Sequence, residues 1–177
     1  MTIFGFLQRM ASAACLASAL IATAGAATPD EEAARAAAQA WVKAVTGRDV
    51  DAQIKLMPPT MFATSADRER ARHQRVHEIE IALIKSRRYE KFELSPPAQT
   101  LKVGKATAVV IPYKAIVSST DGKLQIDSSL VALALDGGSQ WSIFDGAGHT
   151  SRTLKTVIPG YVTGLSVPTA TSKVVKE

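Results

Sequence analysis

The spacing of hydrophobic residues changes once along the chain, near Ser86, and this change constrains the fold more than any other feature. Before it, apolar residues recur every three or four positions, which is the period of an amphipathic helix. After it, they alternate at every second position, which is the period of a strand. Helices followed by hairpin-linked strands indicate an α+β domain, and 177 residues fit one such domain.

The first helix has clear signals at both ends. Thr28 is a good N-cap, Pro29 suits the first helical position, and Glu31 completes a capping box. Gly47 is a natural C-cap. The apolar face between them carries Trp41, which we expect in the core.

Two further helices follow. Asp49 caps a short helix through Leu56, which Pro58-Pro59 ends. A third helix is predicted over residues 65–86 and is dense in charge. Its expected buried stripe consists of Val76, Ile79 and Leu83.

Five strands are predicted over 89–94, 99–103, 106–118, 124–135 and 141–144. Pro112 lacks an N–H donor, so the third strand should have a local edge or a bulge there. Along the fourth strand, the apolar residues change from one face of the strand to the other. This change predicts a bulge near Ser128-Ser129. Trp141 begins the last strand and is expected in the core. Residues 150–157 then suggest one or two helical turns.

Residues 1–27 have the pattern of a signal peptide. A short apolar stretch of small residues follows Arg9 and leads into Ala24-Gly25-Ala26, the small residues that a signal peptidase accepts. Cleavage after Ala26 or Ala27 would remove Arg9 and Cys15. The formal net charge would fall from +5 to +4 and no cysteine would remain, which excludes disulfides and thiol chemistry.

The remaining chain is predicted as one domain over 28–158 and an extended or flexible tail over 159–177. The expected location is the periplasm or the extracellular space, with no stable membrane insertion after cleavage.

A metal site has one candidate, on the third helix. His73 and His77 are four residues apart and Glu80 lies three further on, so all three share one side of the helix. Two imidazoles and a carboxylate are zinc ligands. Gln74 stands where metalloproteases require a glutamate. We therefore favour a solvated stripe and expect no metal or other cofactor.

Acid–base chemistry has four candidates on or beside the strands, namely Tyr113, Asp127, Asp145 and His149. A tyrosine beside a carboxylate could transfer protons, as in ketosteroid isomerase. The alternative is that these residues have ordinary strand and turn roles, and we favour it.

Basic residues are numerous around the third helix, but acidic residues are interleaved with them. That balance is typical of an exposed, salt-bridged helix. Since aromatic residues for base stacking make up only 6% of the chain, nucleic-acid binding is not expected.

The order of elements resembles the NTF2-like (SnoaL-like, cystatin-like cone) superfamily, in its exported bacterial members. The helix with Trp41, the link 47–51 into a short helix, and the terminal hairpin 133–146 carry the resemblance, which covers about 28–157. It implies three N-terminal helices packed in a strongly bent antiparallel sheet, forming a cone with an apolar pocket. Superfamily members include enzymes, ligand binders and assembly modules, so the fold does not choose among them.

The sequence therefore favours an exported, non-catalytic domain that binds a small apolar ligand or a protein partner in the cell envelope. One alternative is a pocket enzyme of the isomerase, dehydratase or hydrolase type. Another is an assembly module that forms a homodimer through an open sheet face. Convergence of two or more titratable groups in one pocket would favour the enzyme.

The signal-peptide pattern generates a direct prediction. The precursor should be processed near Ala26 or Ala27 and released, because its apolar stretch is too short to cross roughly 30 Å of hydrocarbon. N-terminal sequencing of protein from the envelope fraction checks this. Intact Met1 in washed membranes would contradict it.

Overall fold

The computed structural model describes residues 27–137, 140–147 and 149–175, without the side chain of Ser151. The predicted signal peptide, apart from Ala27, lies outside the described residues. The fold is α+β, as predicted. The four helices are α1 (Pro29–Thr46), α2 (Val50–Leu56), α3 (Ser65–Ile84) and α4 (Ser151–Val157), with a 3-10 turn at Pro59–Met61. Within the described part of the chain, no helix is long and apolar enough to span a membrane.

Among the described residues, six antiparallel strands form one sheet. They are β1 (Arg88–Leu94), β2 (Gln99–Val103), β3 (Ala106–Ser119), β4 (Gly122–Ala134), β5 (Trp141–Asp145) and β6 (Thr171–Val175). The long strands β3 and β4 form its centre. β1 and β2 pair with successive parts of β3, and β6 and β5 pair with successive parts of β4.

The predicted bulge near Ser128-Ser129 is wrong. β3 and β4 pair without a break from Ser119↔Gly122 to Thr107↔Ala134. β4 is buried on both faces from Ser128 onward. Apolar residues therefore stop alternating with polar ones at that point, although the register with β3 does not change. The irregularity lies in β1 instead, between Tyr89 and Lys91.

The prediction of a local edge at Pro112 is confirmed. The Pro112 carbonyl accepts the Ser95 N–H at 2.8 Å, in the gap where β1 has ended and β2 has not begun. In an antiparallel strand, the N and C=O groups of one residue point to the same side. The nitrogen of Pro112, which has no hydrogen to donate, therefore also faces this gap.

One face of the sheet, which we call the helical face, packs against α1. Ala34, Ala38 and Trp41 of this helix are almost fully buried. They pack on strand residues Val109, Ile111, Leu130, Ala132 and Ile143. The capping predictions for α1 and α2 are confirmed: Thr28 and Glu31 form the capping box, and Asp49 accepts the Ala52 N–H.

The opposite, outer face is covered by the C-terminal part of the chain. The buried residues of this part are Leu154, Val157, Ile158, Tyr161 and Leu165, and they pack on Val110, Val131, Leu133 and Phe144. The segment predicted as an extended or flexible tail over 159–177 thus contributes two core residues, Tyr161 and Leu165, and the strand Thr171–Val175.

The predicted buried stripe of α3 is wrong. None of the residues in this 20-residue helix is buried. Val76 and Leu83 are 36% and 53% exposed, and only Ile79 of the three is half-buried. The helix packs on α2 and hardly touches the strands. Most of its large apolar residues are therefore exposed.

Trp141 also differs from the expectation, because it is half-buried at the margin of the α1 cluster. Its indole Nε1 is buried without a hydrogen-bond partner among the described residues.

The two tryptophans should differ in their contribution to stability. Trp41→Ala should lower the free energy of unfolding by about 3–5 kcal/mol, because it leaves a large cavity under α1. Trp141→Ala is the matched comparison and should cost less, since this side chain is partly solvated. Urea unfolding measures both. A loss below ~1 kcal/mol for Trp41→Ala would show that α1 is not held as described.

Candidate functional site

A cavity of about 400 Å³ separates α3 from the helical face of the sheet. Its apolar lining comes from the end of α1, the inner side of α3 and strands β1, β3 and β4. These residues are Val45, Ile79, Ala82, Tyr89, Val117, Leu124 and Ile126. The volume lies within the roughly 300–1,000 Å³ typical of small-molecule sites.

The position of α3 creates this cavity. α1 packs on the half of the helical face that holds Val109 and Leu130, and only its last residues, Val45 and Thr46, extend to the half that holds Val117 and Leu124. The end of α3 is tied to the sheet at the β3–β4 hairpin, where the Thr120 N–H donates to the Lys85 carbonyl at 3.1 Å. Between this attachment and α2, the helix stands away from the strands.

The cavity also has a charged lining. Its charged groups are Arg48, Arg75, Glu78, Arg87 and Arg88. Arg75 Nη1 lies 2.7 Å from Glu78 Oε2, so these two charges offset each other. The Arg88 guanidinium is directed elsewhere, because its Nε donates to Ser118 Oγ at 3.1 Å on the outer face.

Arg48 and Arg87 join the two chain segments at the edge of the cavity. Arg48 Nη2 donates to the Arg87 carbonyl at 2.7 Å. Arg48 has φ +59° and Ser86 has φ +50°, and no other non-glycine residue in the described ranges has a positive φ. The left-handed region costs an L-residue roughly 1–2 kcal/mol, and the preceding Gly47, which could adopt it freely, has φ −81°.

The structure brings two of the four acid–base candidates together. The Tyr113 hydroxyl donates to Asp145 Oδ2 at 3.1 Å on the helical face. The other carboxylate oxygen, Oδ1, accepts the Ala147 N–H at 2.9 Å and the Ser128 hydroxyl at 3.4 Å. Three donors thus hold this carboxylate at the end of β5.

Tyr113 stays a neutral donor. Burial, followed by the negative charge of Asp145, raises the pKa of Tyr113 far above its ordinary value. Its ring stacks on Phe92 with centroids 4.7 Å apart. The same two causes, burial first, raise the pKa of Tyr89 at the cavity, while the positive charge of Arg75 opposes them.

Asp127 and His149 do not join this pair. Asp127 lies on the outer face, where its carboxylate accepts a hydrogen bond from Gln125 at 2.7 Å. His149 packs edge-on against Phe144 with ring centroids 5.0 Å apart, and its Nδ1 is buried without a partner among the described residues. In the part of the chain that the structure describes, the lining of the 400 Å³ cavity includes none of the four candidates.

The metal candidates are exposed on α3. His73 Nε2 lies 3.3 Å from Glu69, and His77 Nδ1 lies 3.6 Å from Glu80, so each imidazole faces a different carboxylate. Across residues 27–137, 140–147 and 149–175, no three histidine, cysteine, aspartate or glutamate side chains form a group that could hold a metal.

A second, more open cavity of about 330 Å³ lies against the outer face near Pro112 and the segment 168–171. Its lining includes two of the four acid–base candidates, Tyr113 and Asp127, and also Lys114, whose Nζ lies 4.0 Å from the Asp127 carboxylate. It is smaller and more open than the first cavity, which makes it a weaker candidate for an apolar ligand.

Comparison with known proteins assigns no role to these residues: no protein-family model matches the chain, and no curated protein sequence matches it significantly.

The sequence does not identify the arginines of the cavity as a site. It places Arg75 and Arg87 among basic residues that are interleaved with acidic ones around an exposed helix, and it gives Arg48 no separate role. The available signal was the position of Arg48 directly after the C-cap of α1, where the chain commonly turns left-handed.

The Tyr113–Asp145 pair predicts a particular alkaline sensitivity. The pKa of Tyr113 is higher in the folded than in the unfolded chain, so its contribution to stability is present below about pH 10 and is lost as the pH rises further. Tyr113→Phe should lower the free energy of unfolding by about 1–2 kcal/mol at pH 8 and should make the further loss up to pH 11 less steep. Urea unfolding at both pH values tests this. Parallel losses in the wild type and the variant would contradict it.

Proposed function

We propose that this protein is an exported domain with the NTF2-like architecture that binds a small, largely apolar ligand between α3 and the sheet. The α+β order, with helices on one face of an antiparallel sheet, is compatible with that architecture. The residues of the sequence that resemble exported members support the location.

One observation carries the proposal: α3 has no buried residue although it lies above an apolar sheet surface. Helices in globular proteins gain most of their stability from packing an apolar face. Here the residues of α3 and of the sheet that line the cavity remain partly exposed, and Leu124 is 39% exposed. A ligand of the volume of the cavity would cover both surfaces and remove their apolar area from water.

The geometry supports binding over catalysis. An enzyme would need titratable groups that converge on its ligand. The carboxylate of Asp145 is held by three donors, and Tyr113 uses its hydroxyl to bind it. Within the described residues, neither belongs to the lining of the cavity beside α3. Of the groups that do line it, Glu78 is paired with Arg75 at 2.7 Å, and burial raises the pKa of Tyr89, which keeps its hydroxyl protonated. The Tyr113–Asp145 pair is better explained as a structural hydrogen bond that connects β3 with the end of β5.

Binding should be measured with a neutral fluorescent probe, N-phenyl-1-naphthylamine. We expect saturable binding to the purified protein, with increased and blue-shifted emission. Ala82→Trp should weaken it by roughly tenfold or more, because the indole would occupy the cavity and tenfold corresponds to only about 1.4 kcal/mol.

Ala66→Trp is the matched control. Ala66 is an exposed residue in the first turn of the same helix, away from the cavity lining, so this variant should bind the probe normally. Equal loss in both variants, or no saturable binding to the wild type, would contradict the proposal. Sedimentation of the same samples tests the homodimer alternative, which predicts a concentration-dependent mass and probe binding only in the monomer.

A further inference from the structure

We infer that the ligand of this cavity is an anionic amphiphile, and that Arg48 and Arg87 bind its carboxylate or phosphate head. This inference rests on the proposed function and adds the chemical class of the ligand. The cavity combines an apolar floor with guanidinium groups at one edge, and an amphiphile with a negative head complements both.

The charge balance of the lining favours an anion. Arg75 is offset by Glu78 at 2.7 Å, and the guanidinium of Arg88 is directed to the outer face. Arg48 and Arg87 remain at the edge between α1 and β1, and no carboxylate within 4.0 Å of either is described. A guanidinium group has five donors, and Arg48 uses one of them on the Arg87 carbonyl.

The backbone brings both arginines to this edge through the turns that end α1 and α3. Arg48, at φ +59°, follows the C-cap of α1, and the N–H of the next residue donates to the Ala44 carbonyl at 2.8 Å, which is the bond pattern of a helix-terminating turn. The end of α3 has the same pattern, with the Arg87 N–H donating to the Ala82 carbonyl at 2.7 Å. Ser86, the other non-glycine residue with positive φ in the described ranges, directly precedes Arg87. Both turns thus present an arginine to the same edge of the cavity.

The Arg48–Arg87 hydrogen bond also fixes the two turns relative to each other. It connects the α1–α2 link with the α3–β1 link across 39 residues of sequence. The Arg48 guanidinium and the backbone at Arg87 are therefore positioned before a ligand arrives, which lowers the cost of ordering this edge on binding.

The test compares ligands with one alkyl chain and different heads. Dodecanoate, dodecyl phosphate and 1-dodecanol would each displace N-phenyl-1-naphthylamine from the protein at pH 8 and low salt. We expect the two anions to bind roughly tenfold more tightly than the alcohol, since charge-assisted hydrogen bonds to arginine are strong. The difference should shrink at 0.5 M NaCl. The tighter of the two anions distinguishes a fatty-acid head from a phospholipid head.

Arg48→Gln and Arg87→Gln should each lower the affinity for the two anions more than the affinity for the alcohol, and should so reduce this preference for the anions. Arg87→Gln keeps the carbonyl that Arg48 binds, so it removes the charge without breaking the contact between the turns. Arg152→Gln, an exposed arginine on α4 beside the outer face, is the control with the same change of charge and should behave as the wild type.

Two failures are distinguishable. If the neutral probe binds but the anions and the alcohol compete equally, the proposed function stands and the anionic head is wrong. If Arg152→Gln lowers anion affinity as much as Arg48→Gln and Arg87→Gln, only the net charge matters and the inference is also overturned. Absence of probe binding would contradict the proposed function itself.

Discussion

The long β3–β4 pairing is the constraint on which the rest of the structure depends. Thirteen residue pairs align these strands without interruption. The two ends of this pairing differ in which faces must be covered by other parts of the chain. Near Val109 and Leu133 both faces are apolar and must be covered. Near Val117 and Leu124 only the helical face is apolar, because the outer face carries polar residues such as Lys123 and Gln125.

The helices and the C-terminal segment meet these requirements unequally. α1 covers the helical face at the doubly buried end, and α4 with Tyr161 and Leu165 covers the outer face there. The other end receives only α3, which is held at its C-terminal end and by α2. The protein therefore has a closed core at one end of the sheet and an open apolar cavity at the other.

Sequence reasoning succeeded where a feature is local and failed where the feature depends on tertiary packing. Helix starts were predictable because a cap is a local arrangement: Thr28 with Glu31, and Asp49, act within one turn. The prediction of a buried stripe on α3 was wrong because periodicity shows which side of a helix is apolar. It does not show whether another surface packs against that side. The prediction of a bulge in β4 was wrong because burial of both faces places apolar residues at consecutive positions, and in the sequence this resembles a change of the apolar face.

The candidate site depended even more on tertiary structure. The parity of Tyr113 placed it on the helical face, but its bond to Asp145 requires the β3–β4–β5 register. The cavity exists because of the distance between α3 and the sheet, which no local pattern encodes. The C-terminal segment likewise has isolated apolar residues, Tyr161 and Leu165, without a period that would show them to be core.

Hydrogen–deuterium exchange of α1 and α3 tests most directly the claim that α3 lacks support from the core. In the ligand-free protein, amides in α1 should exchange only through near-global unfolding, whereas those in α3 should exchange through local opening at a much lower free energy. Saturation with a cavity ligand should slow exchange in α3 and leave α1 almost unchanged. If α3 is as protected as α1 without ligand, the helix is already packed and the account of an open binding cavity is wrong.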